Sequence, residues 1–357
     1  MKQFVPDIGP APDHTIGTAK ERLKACGKAG LFGHAVPESF GGLGDGFDAL
    51  CRDHELLGNR TRDPGLILAI NAHIWGSIFP LLRFGTDSQK ERYLPGLVRG
   101  ELLGGHAITE PTAGSDTAAM LAKAIATKDG FTLNGCKRYI TNTPIADLLV
   151  IYAKLDGAIT AFLVHHNDPG ATFANGPSVD GCATASMGEI ILDDCHIPAD
   201  RLLGKAGSGG ILIQLALELE RAFIFSGVVG IMQWQLENVI DFARNRRVKG
   251  GALSDCQVIS HRIAEMKLRL ETIRLWVARC SECCDNKKRI AVESAATKWY
   301  ASEGFLSSSL DAVQIFGTKG LESEHSLLVR DAMAGRLFSG STEIQKNIIA
   351  AMLGVGN

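Results

Sequence analysis

Two stretches of this 357-residue sequence hold side chains whose types and spacing could do chemistry. The first is LALELERAF, where Glu220 directly precedes Arg221 between the apolar runs ILIQLAL and AFIFSGVVGI. A carboxylate in so apolar a helix is costly unless something requires it there. Burial raises a carboxylate's pKa, which suits a base that takes a proton near neutrality. Glu218 competes, but side chains two residues apart on a helix point about 200° from each other, so only one faces a given site. The second stretch, RDAMAGRLFSGSTEIQ, runs from Arg330 to Gln345. Its TEIQ, Thr342 to Gln345, reads as a capping box in which the Thr hydroxyl and the Gln amide serve end N–H groups. A helix N-terminus there also favours phosphate.

Three further segments offer polar groups in tight turns. HAITEPTAGSD, His106 to Asp116, presents hydroxyls and backbone N–H groups suited to the edge of a planar heterocycle. NGCKRYITNT follows it and carries an aromatic, Tyr139, beside the hydroxyl of Thr141. In QIFGTKG, Gln314 to Gly320, glycines let backbone amides approach a phosphate closely.

Taken in order, these segments resemble the signatures of the flavin-dependent acyl-CoA dehydrogenases. HAITEPTAGSD matches T-E-P-x-A-G-S-D, NGCKRYITN matches N-G-x-K-x-[WF]-I-T-N, and GHAVPESFGGLG is close to V-P-E-x-Y-G-G-x-G. QIFGTKG departs from Q-x-x-G-G-x-G at Thr318, and the R-x-x-F-G pattern loses its Phe in Arg246 to Gly250. The resemblance implies FAD as cofactor, with His106, Ile108, Thr109, Tyr139 and Thr141 at the flavin ring. It implies Ser341 and Glu343 at the ADP half, and Arg246, Gln257, Gln314 and Gly317 on the FAD of a neighbouring subunit. Ser115 and Arg221 would meet the substrate, Ser115 at a pantetheine arm.

The position where many relatives carry a catalytic glutamate is Ser339 here. An unactivated serine hydroxyl is a poor proton acceptor near neutral pH. Isovaleryl- and long-chain-type relatives instead place the glutamate immediately before an Arg in a segment resembling L-x-x-E-R. That moves the expected base to Glu220 and leaves Ser339 a backbone N–H at the thioester carbonyl.

The implied reaction is α,β-dehydrogenation of an acyl thioester, with the α-proton going to Glu220 and the β-hydrogen leaving as hydride to flavin N5. Acyl-CoA is the leading substrate. An acyl or aminoacyl group on an acyl or peptidyl carrier protein is the alternative, with electron-transfer flavoprotein or oxygen as acceptor. A flavin-binding homologue without catalysis is a reading of another class, against which Glu220 argues. A nitroalkane-oxidising type would need an Asp, and neither base position has one.

The elements that must position these residues follow from periodicity. From Thr18 to about Glu101 apolar residues recur at three- and four-residue spacing, as in ILAINAHIWGSIFPLLRFG. Between Leu102 and about Gly207 short alternating runs are separated by the turn dipeptides Asp129-Gly130, Asn134-Gly135 and Asp156-Gly157. From Ser208 four helical segments follow, one of them continuous from Ile211 to Asn245. The expected class is α+β: a helical domain (1–101), a middle antiparallel β domain (102–207) and a C-terminal four-helix bundle (208–357). The glycine clusters FGGLGDG and GKAGSGG do not open a βαβ unit, so no dinucleotide-binding parallel sheet is expected.

Composition narrows the partners. A formal charge of −2 provides no field for a nucleic acid. Nine scattered cysteines read as reduced, and the Cys280, Cys283, Cys284 cluster lacks further ligands at metal spacing, so no metal is expected. No run reaches about 18 uninterrupted apolar residues, and MKQFVPDIGPAPDHT lacks the basic-then-apolar order of a secretory leader. A cytoplasmic homotetramer without membrane contact is expected.

Overall fold

Helix α3 (Pro64–His73) begins where Asp63 accepts the Leu66 N–H at 3.0 Å, with Pro64 at its first position. Every residue from Pro64 to Ile78 is buried, so this helix is apolar on all sides because it has no solvent face. The structure is a computed structural model that describes residues 4–10 and 16–355. The N-terminal stretch read above as lacking a leader therefore falls partly outside the described residues, at 1–3 and 11–15.

Five helices come first: α1 (Ile16–Ala29), α2 (Gly46–Thr61), α3 (Pro64–His73), α4 (Phe79–Phe84) and α5 (Asp87–Val98). One π turn, Ile74–Ile78, joins α3 to α4. The whole stretch Pro64–Phe84 is long and apolar enough to cross a bilayer by composition, which the reading by uninterrupted runs missed, but 89% of its most apolar window is buried inside the protein. The π turn also brings backbone against backbone. A Cβ on Gly76 would lie 2.8 Å from the His106 nitrogen, so only glycine fits there.

The middle of the chain forms one eight-stranded sheet: β1 (Gly104–Ala107), β2 (Lys123–Ala126), β3 (Gly130–Ile140), β4 (Leu148–Leu155), β5 (Ala158–His165), β6 (Ala171–Asn175), β7 (Gly188–Pro198) and β8 (Leu202–Leu203). Pairing is mainly antiparallel, but β1 and β2 both run parallel to β4. Asp156 and Gly157, at φ 50° and 81°, turn the β4–β5 hairpin as their sequence predicts. Asn134-Gly135 does not turn the chain. It lies within β3, where the register against β7 slips between Leu133 and Gly135, because a bulge absorbs the dipeptide that a hairpin would otherwise use.

The C-terminal part holds α6 (Gly209–Phe223), α7 (Ser226–Asn245), α8 (Gln257–Asp285), α9 (Ala291–Phe316), α10 (Thr318–Leu321), α11 (Glu324–Gly335) and α12 (Thr342–Met352). A two-stranded hairpin of β9 (Arg247–Val248) and β10 (Gly251–Ala252) follows α7. The expected continuous helix to Asn245 breaks at Ile224 and Phe225. Phe223, Ile224 and Phe225 are all buried, and the Ser226 hydroxyl donates to the Phe223 carbonyl at 2.6 Å. Three consecutive buried residues need apolar surroundings on several sides, and the break comes at these residues.

Two buried histidines tie this frame together in the neutral form. His73 Nε2 donates to the Leu97 carbonyl at 2.9 Å, and its Nδ1 accepts the Gly104 N–H at 3.0 Å where β1 begins. Burial holds the His73 pKa down at about 4, and burial aided by His34 holds His54, against Ser226, down at about 3. The unfolded chain therefore takes up these protons first as pH falls. Their contribution to stability is complete above pH 6.5 and is lost progressively toward pH 4 and below, at about 1.4 kcal/mol per pH unit for each. Urea midpoints measured from pH 7.5 to 5 should fall accordingly; a flat midpoint would contradict the neutral-histidine account.

Candidate active site

Glu220 lies in the last turn of α6, 5% exposed. Its Oε1 accepts the Ser339 hydroxyl at 2.5 Å, and its Oε2 lies 3.3 Å from His106 Nε2. The second contact is off-line, so Oε2 has no aligned donor. Glu218 faces elsewhere: its carboxylate takes the Arg289 guanidinium at 2.7 Å and 3.2 Å and the Ile290 N–H at 3.1 Å, which secures the start of α9. The two glutamates thus divide structural and site roles according to helical phase.

The turn carrying Ser339 is held by its carbonyls. Ser339 has φ 54° and Gly340 φ 90°, a left-handed bend that a non-glycine residue adopts only when its surroundings impose it. Arg221 Nε donates to the Ser339 carbonyl at 3.1 Å. Gln345 Nε2 donates to the Gly340 carbonyl at 2.8 Å and reaches those of Ser341 and Ser339 at 3.3 Å and 3.4 Å. This overturns the capping-box expectation for TEIQ. Ser341 is the N-cap, Thr342 turns its hydroxyl to Glu303 at 2.9 Å, and Gln345 serves carbonyls rather than N–H groups. Tertiary partners outbid the local cap. Glu343 is solvent-exposed, its carboxyl held below its ordinary value by its own backbone N–H and by the Ser341 hydroxyl.

A buried ion pair joins the two β-domain motifs, and sequence reading missed it. Lys137 Nζ donates to Glu110 at 2.9 Å and to the Ile108 carbonyl at 3.1 Å, while the Glu110 carboxylate also accepts the N–H groups of Leu121 and Ala122. One Glu and one Lys of opposite charge in the two motifs were the available signal. Asn142, buried at φ 69°, donates to the carbonyls of Ala69 and Gly104 and locks the end of β3 to α3 and β1. These bonds fix Thr109 and Thr141, both half-buried, around Tyr139. Tyr139 is 49% exposed at φ 60°, and the Arg138 guanidinium lies 5.2 Å from its ring centroid. Ser115 sits exposed in the loop after β1, where Asp116 accepts the Ala118 N–H.

Arg246, Gln257, Gln314 and Gly317 gather elsewhere, at the end of the bundle where Phe242 stacks on Phe316 with ring centroids 4.3 Å apart. All four are exposed. Gly317 has φ 63° and ψ −140°, backbone that only glycine adopts readily, and nothing lies within 4 Å of where its Cβ would be.

Family models for the N-terminal, middle and C-terminal domains of acyl-CoA dehydrogenase match residues 5–101, 105–195 and 207–354. The chain belongs to the acyl-CoA dehydrogenase family. It is 37% identical over 349 residues to an L-prolyl-peptidyl-carrier-protein dehydrogenase of Pseudomonas fluorescens, covering 96% of this chain and 92% of the relative. Identity to the isovaleryl-CoA dehydrogenase of Arabidopsis thaliana is 35% over 338 residues, 92% of this chain and 82% of that one. Among solved structures, one described as PigA with FAD and proline superposes with a TM-score of 0.94 at 33% identity, covering 99% of this chain and 95% of that one. The prolyl acyl carrier protein oxidase AnaB gives 0.92 at 36%, covering 94% and 91%.

As a member of this acyl-CoA dehydrogenase family, the protein is an FAD-dependent oxidoreductase acting on the CH–CH group of acyl thioesters. The residues at hand fit the cofactor. Tyr139 is a half-exposed aromatic close in sequence to the Thr141 hydroxyl, and Tyr139, Asn142 and Ser339 all keep left-handed backbone. Such outliers cost about 1–3 kcal/mol each and persist where a site requires them.

The electrostatics of Glu220 differ from the sequence-based expectation of a raised pKa. Burial is the largest influence and pushes the value up, but the adjacent His106, the Ser339 hydroxyl and the Arg221 charge together outweigh it. The balance falls below the ordinary carboxylate value, so Glu220 is ionised at neutral pH despite its burial. Ser339→Ala removes one influence that holds the pKa down. The acid limb of kcat/KM should move to higher pH, while the rate at pH 8, where the carboxylate is ionised in both proteins, changes by less than about tenfold. A limb that stays in place would show that the hydroxyl does not act on the carboxylate.

Proposed function

We propose that the protein desaturates a small aminoacyl group, prolyl in kind, held as a thioester on a carrier protein, with Glu220 as the base. The observation that carries this reading is the buried carboxylate of Glu220, set between Ser339 and His106. The α-proton passes to Glu220, the hydrogen on Cβ departs with its electron pair, and the Cα–Cβ double bond forms. FAD, when bound, supplies the two-electron acceptor for that hydrogen. Ser339 contributes its backbone N–H to the thioester oxygen as negative charge grows there, and its tied-back carbonyl supports that assignment. Thr109, Tyr139 and Thr141 border the flavin, Ser341 and Glu343 meet its ADP half, and Ser115 meets the pantetheine arm.

A small acyl group is supported by what fills the space beside the base. Phe223 follows Glu220 by one helical turn, and its ring lies 5.5 Å from Trp75 and 5.2 Å from Phe47. Trp75 and Phe223 are fully buried, which leaves little room for a long chain. The relatives named for prolyl carrier proteins support the carrier.

We also propose a cytoplasmic homotetramer, in which Arg246, Gln257, Gln314 and Gly317 meet a neighbour's FAD. Exposed Leu268, Leu275, Leu310, Met333 and Leu337 on the bundle helices and the loop after α11 support self-association. Nine free cysteines support a reducing compartment.

Glu220→Gln should retain FAD but lose turnover by at least about 10²-fold; near-normal turnover would sink the base assignment. Anaerobic bleaching of the wild-type flavin should occur with prolyl-carrier protein and not with butyryl-CoA or isovaleryl-CoA. The reverse pattern would return the substrate to acyl-CoA. Reoxidation by air or by an electron-transfer flavoprotein then identifies the acceptor.

A further inference from the structure

Three buried polar atoms near the base lack an aligned partner: Glu220 Oε2, His106 Nδ1 and the Tyr152 hydroxyl. They come from three elements, α6, β1 and β4. His106 is registered with Val150 on the parallel neighbour strand, and Tyr152 is two residues further along, so both side chains leave the same face of the sheet. Tyr152 feels the negative charge of Glu220, which together with the larger effect of burial raises its pKa. Buried polar atoms are rarely left orphaned, and when several meet at one place they mark a polar site rather than a packing error.

The His106 ring is held firmly. The π turn Ile74–Ile78 lays Gly76 against it so closely that a Cβ would come within 3.0 Å of the ring carbon Cγ. Its Nε2 meets the one carboxylate oxygen that Ser339 does not take. The two oxygens of Glu220 therefore face different elements, Oε1 the turn at Ser339 and Oε2 the edge strand β1.

We infer that His106 is the positioning residue of the base: it fixes the Glu220 carboxylate through Oε2 and so directs Oε1, covered by the Ser339 hydroxyl until substrate enters, toward the substrate's Cα. This rests on Glu220 being the base, and it gives His106 a role distinct from lining the flavin. The charged and titratable groups facing Glu220 are His106 from β1, Tyr152 from β4 and Arg221 beside it on α6, with Lys298 facing Arg221 from α9. Of these, His106 is the one in contact with Oε2.

The test compares His106→Phe, which removes the Nε2 contact, with His106→Gln, whose amide occupies the place of Nε2, and with Glu220→Gln. Each holoenzyme is assayed by single-turnover flavin reduction with prolyl-carrier protein across pH 5–9. His106→Phe should keep its flavin spectrum, lose rate on the order of 10²-fold with little change in the substrate concentration for half-maximal rate, and move its acid limb to higher pH. His106→Gln should recover much of the rate. An unchanged rate and limb in His106→Phe, with Glu220→Gln inactive, would overturn the role of His106 alone. An active Glu220→Gln would overturn the base assignment beneath it. Should His106→Phe lose FAD, His106→Gln decides: a rate no better than that of Glu220→Gln overturns the inference, and a substantial rate upholds it.

Discussion

The carboxylate of Glu220 is where the C-terminal bundle meets the central sheet. It belongs to α6, accepts a hydrogen bond from the turn before α12, and faces a strand of the central sheet. A buried charge of this kind is tolerable only when its surroundings compensate for lost water, and here bundle and sheet each supply a share. The break between α6 and α7 follows Glu220 within a few residues, the π turn packs Gly76 against His106, and the left-handed bend carries Ser339 itself. Local departures from regular structure thus collect around one ionised group, as expected where geometry serves chemistry.

The same logic recurs in the sheet. Lys137 is completely buried and survives there because Glu110 and the Ile108 carbonyl take its ammonium, while Glu110 in turn gathers two backbone N–H groups. Burial pulls the Lys137 pKa down and the Glu110 pair raises it in opposition. The spacing between the two β-domain motifs is therefore the reach of one ion pair across β3. What looks in sequence like two separate flavin signatures is, physically, one clamp with Thr109 and Thr141 on its outer edge.

Much of the fold was legible because periodicity is local. The three-and-four spacing of α8 and α9, the alternation of β4 and β5 and the hairpin at Asp156-Gly157 each depend on residues close in the chain. Signals whose meaning depends on distant partners read less well. Asn134-Gly135 has the composition of a turn yet becomes a bulge because β7 continues beside it. TEIQ has the composition of a capping box, yet Glu303 draws Thr342 away and the bent turn draws Gln345.

For the site, the sequence by itself determined the family and the flavin, because ordered motifs are properties of the chain alone, and helical phase showed that only one of Glu218 and Glu220 could face a given site. Only the tertiary structure decided that His106 meets Glu220 and that Arg221 holds Ser339 by its carbonyl. It also decided that the carboxylate's pKa is lowered rather than raised. Burial can be inferred from neighbours in sequence, and it pushes the value up. The groups that reverse it lie 114 and 119 positions away, a difference of 220 − 106 for His106 and of 339 − 220 for Ser339, and reach the carboxylate only once the sheet and bundle have packed together.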